Sequence, residues 1–407
     1  MASMPRGKRI LIYSHDSFGL GHLRRCREIA HALVEDDADA SVVILSGSPI
    51  VGSFDFKARV DFVRVPGVIK QHDSEYVSQK LPIAIEETLA LRASIIENTA
   101  SIFDPDLFIV DKEPLGLRGE VEPALRLLNR RGVPCVLGLR DVMDDPELLA
   151  SEWERKHALP ALMEYYEDIW VYGLPQICEP LAGLDLPPSL RRKLVYTGYI
   201  GRSRPTHPAV HTLEKISPPY CLVTAGGGGD GDAVVDWVLA AYEADREIPH
   251  PVLIMLGPFM PTEAQEAFQA RAAALPNVEM LTFSAFPEGL IEQAIGIVGM
   301  GGYNTFCEIL TFDKPAIIVP RTQPRREQLI RARQAAELDL VSMLIDDGTR
   351  DPKVMATALR TLPQRRPPSQ VVVPGLLDGR RNVVKLARYR LGTGRRPKPL
   401  MAVSRAY

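Results

Sequence analysis

No apolar run in this 407-residue chain approaches the roughly 20 residues that a membrane-spanning helix needs. The first such run, Ile10-Leu11-Ile12-Tyr13, is too short even for the core of a signal peptide. A soluble, cytoplasmic protein is expected, with a peripheral position on the cytoplasmic face of a membrane left open. Cysteine is scarce: Cys26, Cys135, Cys178, Cys221 and Cys307 are odd in number and scattered. No CxxC pair or Cys/His cluster of metal spacing occurs, which argues against a disulfide framework and a structural metal and leaves reduced thiols as the expectation. Neither a metal nor a cofactor is expected. Charge of one sign is lacking too. A formal net charge of −3 argues against a dedicated nucleic-acid binder. What remains is an ordinary globular composition, 46% hydrophobic and 24% charged, on a chain long enough for two domains.

Short apolar runs alternate with amphipathic stretches. Arg9–Ser14 reads as a strand, and Leu23, Cys26, Ile29, Ala30 and Leu33 mark a helix over about 22–34. Strands follow at 41–45, 61–65, 107–110, 134–139, 168–172 and 193–196, with helices over 81–103 and 120–131. After the turn-rich segment Gly201–Pro208 the pattern restarts. Strands are expected at 220–224, 251–256, 278–281, 295–298 and 316–319. Helices are expected over 232–244, 263–274, 287–293, 305–310, 325–337, 352–362 and 379–391. Alternating strands and helices imply βαβ units on parallel sheets. The fold class is therefore α/β, with two tandem Rossmann-like, doubly wound domains facing a cleft. The first domain covers 1–201, a linker 202–217, the second domain 218–375, and a C-terminal helix 376–392 that crosses back to the first domain. A basic tail, 393–407, is expected to be disordered.

Ligands of open parallel sheets bind beyond the carboxyl ends of the strands, where four motifs fall. The first, Tyr13-Ser14-His15-Asp16-Ser17-Phe18-Gly19-Leu20-Gly21-His22, joins the first strand to the first helix. Gly19 and Gly21 permit close approach of a ligand, and the helix end favours a neutral His22, as a general base requires. A tight turn with a capping histidine explains the spacing equally well. The second, Gly226-Gly227-Gly228-Gly229 followed by Asp230 and Asp232, offers successive N–H donors for a phosphate. The two aspartates are read as helix caps rather than metal ligands. In the third, Gly301-Gly302-Tyr303-Asn304-Thr305 opens a helix that Asn304 or Thr305 can cap. Glu308, one turn on, is placed to accept from ribose hydroxyls, the bland alternative being a surface glutamate. The fourth, Pro320–Gln328, carries Arg325, Arg326, Glu327 and Gln328, suited to hydroxyls and phosphates. A solvated charge run is its alternative.

The run Gly302-Tyr303-Asn304-Thr305-Phe306-Cys307-Glu308-Ile309, then Lys314–Pro320, then Arg326–Ala332, resembles the donor-binding half of GT-B glycosyltransferases. It looks most like the family of the peptidoglycan N-acetylglucosaminyltransferase MurG. The Gly19-Leu20-Gly21-His22 turn resembles that family's glycine-rich loop. The resemblance implies that Thr305 and the Gly301-Gly302 backbone meet a diphosphate and that Glu308 holds the ribose. It implies that Glu327 and Gln328 contact the donor sugar, Glu327 departing from the two glutamines common there. The Gly226–Gly229 loop would face the diphosphate from the other side. Backbone near Phe283 and Phe286 would contact the base, and His22 would lie across the cleft. Asp16–Cys26 also resembles the first motif of the UDP-sugar hydrolase of pseudaminic acid synthesis, which uses a histidine there to activate water.

The expected function is an inverting, metal-independent glycosyltransferase whose donor is a nucleotide diphosphate sugar, uridine being suggested by the resemblance alone. The acceptor is undefined. His22 is the expected base. Asp111 and Asp141, both at strand ends, are candidates to orient His22 or the acceptor, as are His15 and Asp16. Trp153, Tyr165, Tyr166 and Trp170 are taken as available to an acceptor site. The rivals are a nucleotide-sugar hydrolase, a 2-epimerase and a non-catalytic sugar-nucleotide sensor.

Overall fold

Strands buried on both faces need helices on both faces, and the chain supplies them in order. The computed structural model describes residues 7–15, 21–70, 76–203, 213–227, 229–284 and 287–392. The basic tail 393–407 and the linker stretch 204–212 lie outside the described residues. In the first half the order is β1 (Arg9–Ser14), α1 (Gly21–Asp36), β2 (Ser41–Ser46), β3 (Val60–Arg64), β4 (Val68–Lys70), β5 (Tyr76–Ser78), α2 (Ile85–Phe103) and β6 (Leu107–Asp111). It continues with α3 (Glu122–Arg130), β7 (Cys135–Arg140), α4 (Pro146–Arg155), α5 (Ala158–Tyr165), β8 (Asp168–Tyr172), α6 (Pro188–Arg191) and β9 (Leu194–Tyr196). Seven of these strands form one parallel sheet in the order β3-β2-β1-β6-β7-β8-β9, while β4 and β5 make a separate antiparallel hairpin. Along β1, Ile10 and Ile12 enter one apolar cluster and Leu11 and Tyr13 the other, the period-2 alternation of a strand covered on both sides.

The second half repeats the plan with β10 (Tyr220–Thr224), α7 (Asp232–Ala244), β11 (Val252–Met255), α8 (Thr262–Ala273), β12 (Val278–Leu281), α9 (Glu288–Gln293) and β13 (Ala294–Gly299). Then come α10 (Tyr303–Thr311), β14 (Ala316–Ile318), α11 (Glu327–Glu337), β15 (Ser342–Met343), α12 (Pro352–Thr361) and α13 (Gly379–Gly392). Its six-stranded parallel sheet has the order β12-β11-β10-β13-β14-β15. Each sheet thus has one switch point, where the strand order reverses: between β1 and β6 in the first, between β10 and β13 in the second. Ligands bind at such points because the loops on the two sides part there.

The two halves are closely joined. One apolar cluster runs from Ile12 and Ile44 through α1 and Tyr199 to Tyr303, Phe306 and Val383. Arg331 of α11 donates to Asp141 of the first half through Nε and Nη2, both at 2.6 Å, and Tyr199 donates to the same carboxylate at 2.7 Å. Helix α13 returns to the first half, where Arg390 and Arg388 pair with Asp168 and Asp36 and Val383 and Ala387 are buried.

Three readings of the sequence need correction. The hairpin β4-β5, the helices α4, α5 and α6 and the short strand β15 are additions to the expected elements. Trp153, Tyr165, Tyr166 and Trp170 are buried core residues, 0–5% exposed, so they line no acceptor site. Tyr165 and Tyr166 end α5 and seal it onto the sheet, while Trp170 lies within β8. Asp141 serves Arg331 and Tyr199, which is a joint between the halves and not an orienting group beside His22.

Candidate active site

Both switch points open onto the same cavity, about 220 Å³ in volume. The first half contributes Gly21 and His22 at the start of α1, with Arg24, Arg25 and Arg140. The second half contributes the Gly226-Gly227 turn, Asp230, Gly302–Thr305 at the start of α10, and Arg321, Glu327 and Gln328 at the start of α11. Three helices therefore open on one space. Their first N–H groups lack partners within the helix and carry partial positive charge, so the walls suit an anion. Gly301 makes the turn before α10 possible: its φ is 73°, and a Cβ there would meet Ile318 at 2.7 Å.

His22 is held from below. Its Nδ1 bonds to Asp111 Oδ2 at the end of β6, the neighbouring strand across the switch point. Arg25, one turn along α1, donates to Asp111 Oδ1 through Nε at 3.0 Å and Nη2 at 2.5 Å. Burial alone would raise the Asp111 pKa, but Arg25 and His22 override it and hold the carboxyl well below its usual range. Burial draws His22 down to about 4, against the opposing pull of Asp111. At neutral pH the pair is thus carboxylate and neutral imidazole. The carboxylate accepts a hydrogen bond from Nδ1–H, which leaves the Nε2 lone pair free to act as a base. Directly after Asp111 the chain turns through Lys112 at φ 69°, a strained conformation for a non-glycine residue beside the His22 partner. His15 stands edge-on to His22 with ring centroids 5.8 Å apart, and its Nδ1 lies 3.3 Å from the Tyr13 hydroxyl.

Other expected residues are placed differently. Glu308 is no surface glutamate: it is 5% exposed and pairs with Arg24 at 2.5 Å across the domain boundary. Gly302 is the N-cap of α10, and no side chain caps that helix. Asn304 instead donates to the Gly21 carbonyl at 3.1 Å and accepts from Arg202. Likewise Gly231 is the N-cap of α7, so neither Asp230 nor Asp232 caps it, and Asp230 pairs with Arg321. Arg325 and Arg326 turn to Asp144, Asp145 and Glu152 of the first half and are absent from the cavity wall, because those carboxylates face them across the cleft. Phe283 is half-buried and Gly229 exposed, both off the cavity wall. Asp16, Gly19, Gly228 and Phe286 lie outside the described residues.

Cavity residues absent from the expected site residues are Arg24, Arg25, Arg140, Ala225, Met300, Tyr303 and Arg321. The arginines sit beside expected site residues, and their only signal is adjacency to a strand end or helix start. Arg321 donates to Glu327 at 2.5 Å, and Gln328 accepts from the Arg321 backbone at 2.9 Å. Burial pulls Arg140 down to about 10, which leaves it charged at neutral pH. Among the described residues no group of three or more His, Cys, Asp or Glu side chains is placed to hold a metal ion, and no helix is long and apolar enough to cross a membrane.

Residues 221–369 match the family described as Glycosyltransferase family 28 C-terminal domain. A search of curated protein sequences finds no match. Among solved structures, Medicago truncatula UGT71G1 complexed with UDP-glucose is 14% identical with a TM-score of 0.62, covering 96% of this chain and 100% of that one. A UDP-N-acetylglucosamine 2-epimerase is 11% identical, covers 97% and 99%, and has a TM-score of 0.60. Acinetobacter baumannii MurG is 14% identical, covers 93% and 95%, and has a TM-score of 0.51. At these identities the likeness is one of fold, and the fold is GT-B.

Proposed function

We propose that this GT-B chain, whose residues 221–369 match a glycosyltransferase family 28 C-terminal domain, is an inverting, metal-independent glycosyltransferase. It moves a sugar from a nucleotide diphosphate sugar to an acceptor hydroxyl. The observation that carries the reading is the His22–Asp111 pair facing, across one cavity, the starts of α10 and α11. The donor docks on the second domain, its diphosphate against the Gly226-Gly227 turn and the α10 start at Thr305. The sugar lies by Glu327 and Gln328. Uridine is the favoured base, since UGT71G1 was crystallised with UDP-glucose. Five free thiols fit a reducing cytoplasm.

In the reaction, His22 Nε2 takes the acceptor proton as the acceptor oxygen attacks the anomeric carbon. The bond from that carbon to the diphosphate breaks on the opposite face, and the diphosphate leaves with the electron pair. Attack and departure on opposite faces invert the anomeric centre. N–H groups and helix dipoles already aimed at the departing charge lower the barrier without reorganising. Glu308 is held by Arg24, so a ribose that engages this carboxylate must displace that pair.

The test is release of nucleoside diphosphate from a panel of nucleotide sugars, with and without acceptors. His22→Ala should lower turnover by about 10²-fold or more while donor affinity, by calorimetry, stays within about twofold. Near-normal turnover sinks the role of His22. Donor alone separates the alternatives on this fold: free sugar at the full rate means a hydrolase, and the 2-epimer means an epimerase, a reaction carried by one structural relative.

A further inference from the structure

Four guanidinium groups line the cavity, and three have carboxylate partners. Arg24 pairs with Glu308, Arg25 with Asp111, and Arg321 with both Asp230 and Glu327. Arg140 is the exception: among the described residues no carboxylate lies within ion-pair distance of it, and its buried Nε has no hydrogen-bond partner. It stands at the end of β7, on the first domain, and reaches the space bounded by the Gly226-Gly227 turn and the α10 start of the second. Its main carboxylate influence is Glu327, which Arg321 already occupies. Arg140 is half-buried and its Nε is fully enclosed; a cation partly withdrawn from water without a partner persists where a ligand supplies the missing charge. The planar fork of arginine matches two phosphoryl oxygens, and the surrounding N–H groups select an anion at the same place.

We propose that Arg140 grips the diphosphate of the donor from the opposite domain and neutralises it as it leaves. The proposal rests on the donor reading above. It adds a first-domain residue to a leaving-group site otherwise built from the second domain.

The experiment compares affinities of UDP, GDP and dTDP with those of their nucleosides, by calorimetry, in the full-length protein and in Arg140→Met and Arg140→Lys. For each diphosphate that binds, Arg140→Met should weaken it by about 10- to 100-fold and leave the nucleoside within about twofold. Arg140→Lys, which keeps the charge and loses the fork, should fall between. The ratio of diphosphate to nucleoside affinity, read on the active fraction, is insensitive to partial misfolding. An unchanged diphosphate affinity overturns the proposal, as does an equal loss for nucleoside and diphosphate. If the unaltered protein binds no nucleoside diphosphate, the donor reading fails and takes the proposal with it.

Discussion

As the proposed base, His22 has three separate demands to meet on one side chain. It must be neutral at working pH, its Nδ1 must hold the proton, and its Nε2 must face the cavity. Burial supplies the first, drawing the pKa to about 4. Asp111 supplies the second, and Arg25 keeps Asp111 ionised. The pH profile follows from the sign of the shift. The base is active when unprotonated, so kcat/KM should stay level from pH 8 to 6 and fall only as pH drops toward about 4. A profile that breaks near 6.5 would show an unburied, unpaired histidine. In Asp111→Asn the imidazole loses its anionic partner, and with Arg25 holding the amide oxygen the NH2 group faces Nδ1 and favours the wrong tautomer, so turnover should drop by about 10²-fold or more with donor affinity little changed. Retention of more than a tenth of the rate would place the proton elsewhere.

Among the elements, α1 and α13 have most to do with the site. Helix α1 carries His22, Arg24 and Arg25 within its first two turns, so its position sets the cavity wall. Helix α13 lies on the first domain and begins where two chain segments touch. Gly379 donates its N–H to the Tyr199 carbonyl at 3.1 Å, and Tyr199 donates to the Leu376 carbonyl at 2.8 Å. A Cβ at Gly379 would lie 2.3 Å from the Tyr199 oxygen and 2.6 Å from that of Gly198, both backbone atoms that cannot swing away. Gly379→Ala should therefore destabilise the protein by about 2–4 kcal/mol, seen as a lower denaturation midpoint. A change under about 0.5 kcal/mol would mean that the crossing is slack.

For the whole molecule, the decisive feature is that the domain boundary is partly core. The apolar cluster is continuous across it, and Asp141 with Arg331 forms a buried bidentate pair, each 0–1% exposed. Arg331 also donates to the Gly301 carbonyl at 2.9 Å, which links the joint to the turn that starts α10. Removing one member strands the other as a buried charge. Arg331→Met should cost about 3–5 kcal/mol in chemical denaturation, and adding Asp141→Leu should recover more than half of it. If the single change costs less than about 1 kcal/mol, water reaches the joint and the domains part more freely than this contact implies.

Local pattern by itself determines much of this protein. Short continuous apolar runs mark Arg9–Ser14, Asp168–Tyr172 and Tyr220–Thr224, and period-3.6 apolar spacing marks Asp232–Ala244, as they are found, because burial on both faces of a sheet or one face of a helix leaves its trace in the chain. Glycine turns at strand ends point to the cavity, since close approach of backbone to ligand requires them. Partnership between distant side chains leaves no such trace. Asp111 and Asp141 look alike in sequence, each ending a strand, yet one meets His22 across a switch point and the other is claimed by Arg331. Arg325, Arg326 and Arg140 are all arginines beside loops, and the fold turns the first two toward carboxylates and leaves the third in the cavity. Those choices depend on which strand neighbours which and how the second domain docks, and only the tertiary structure decides them.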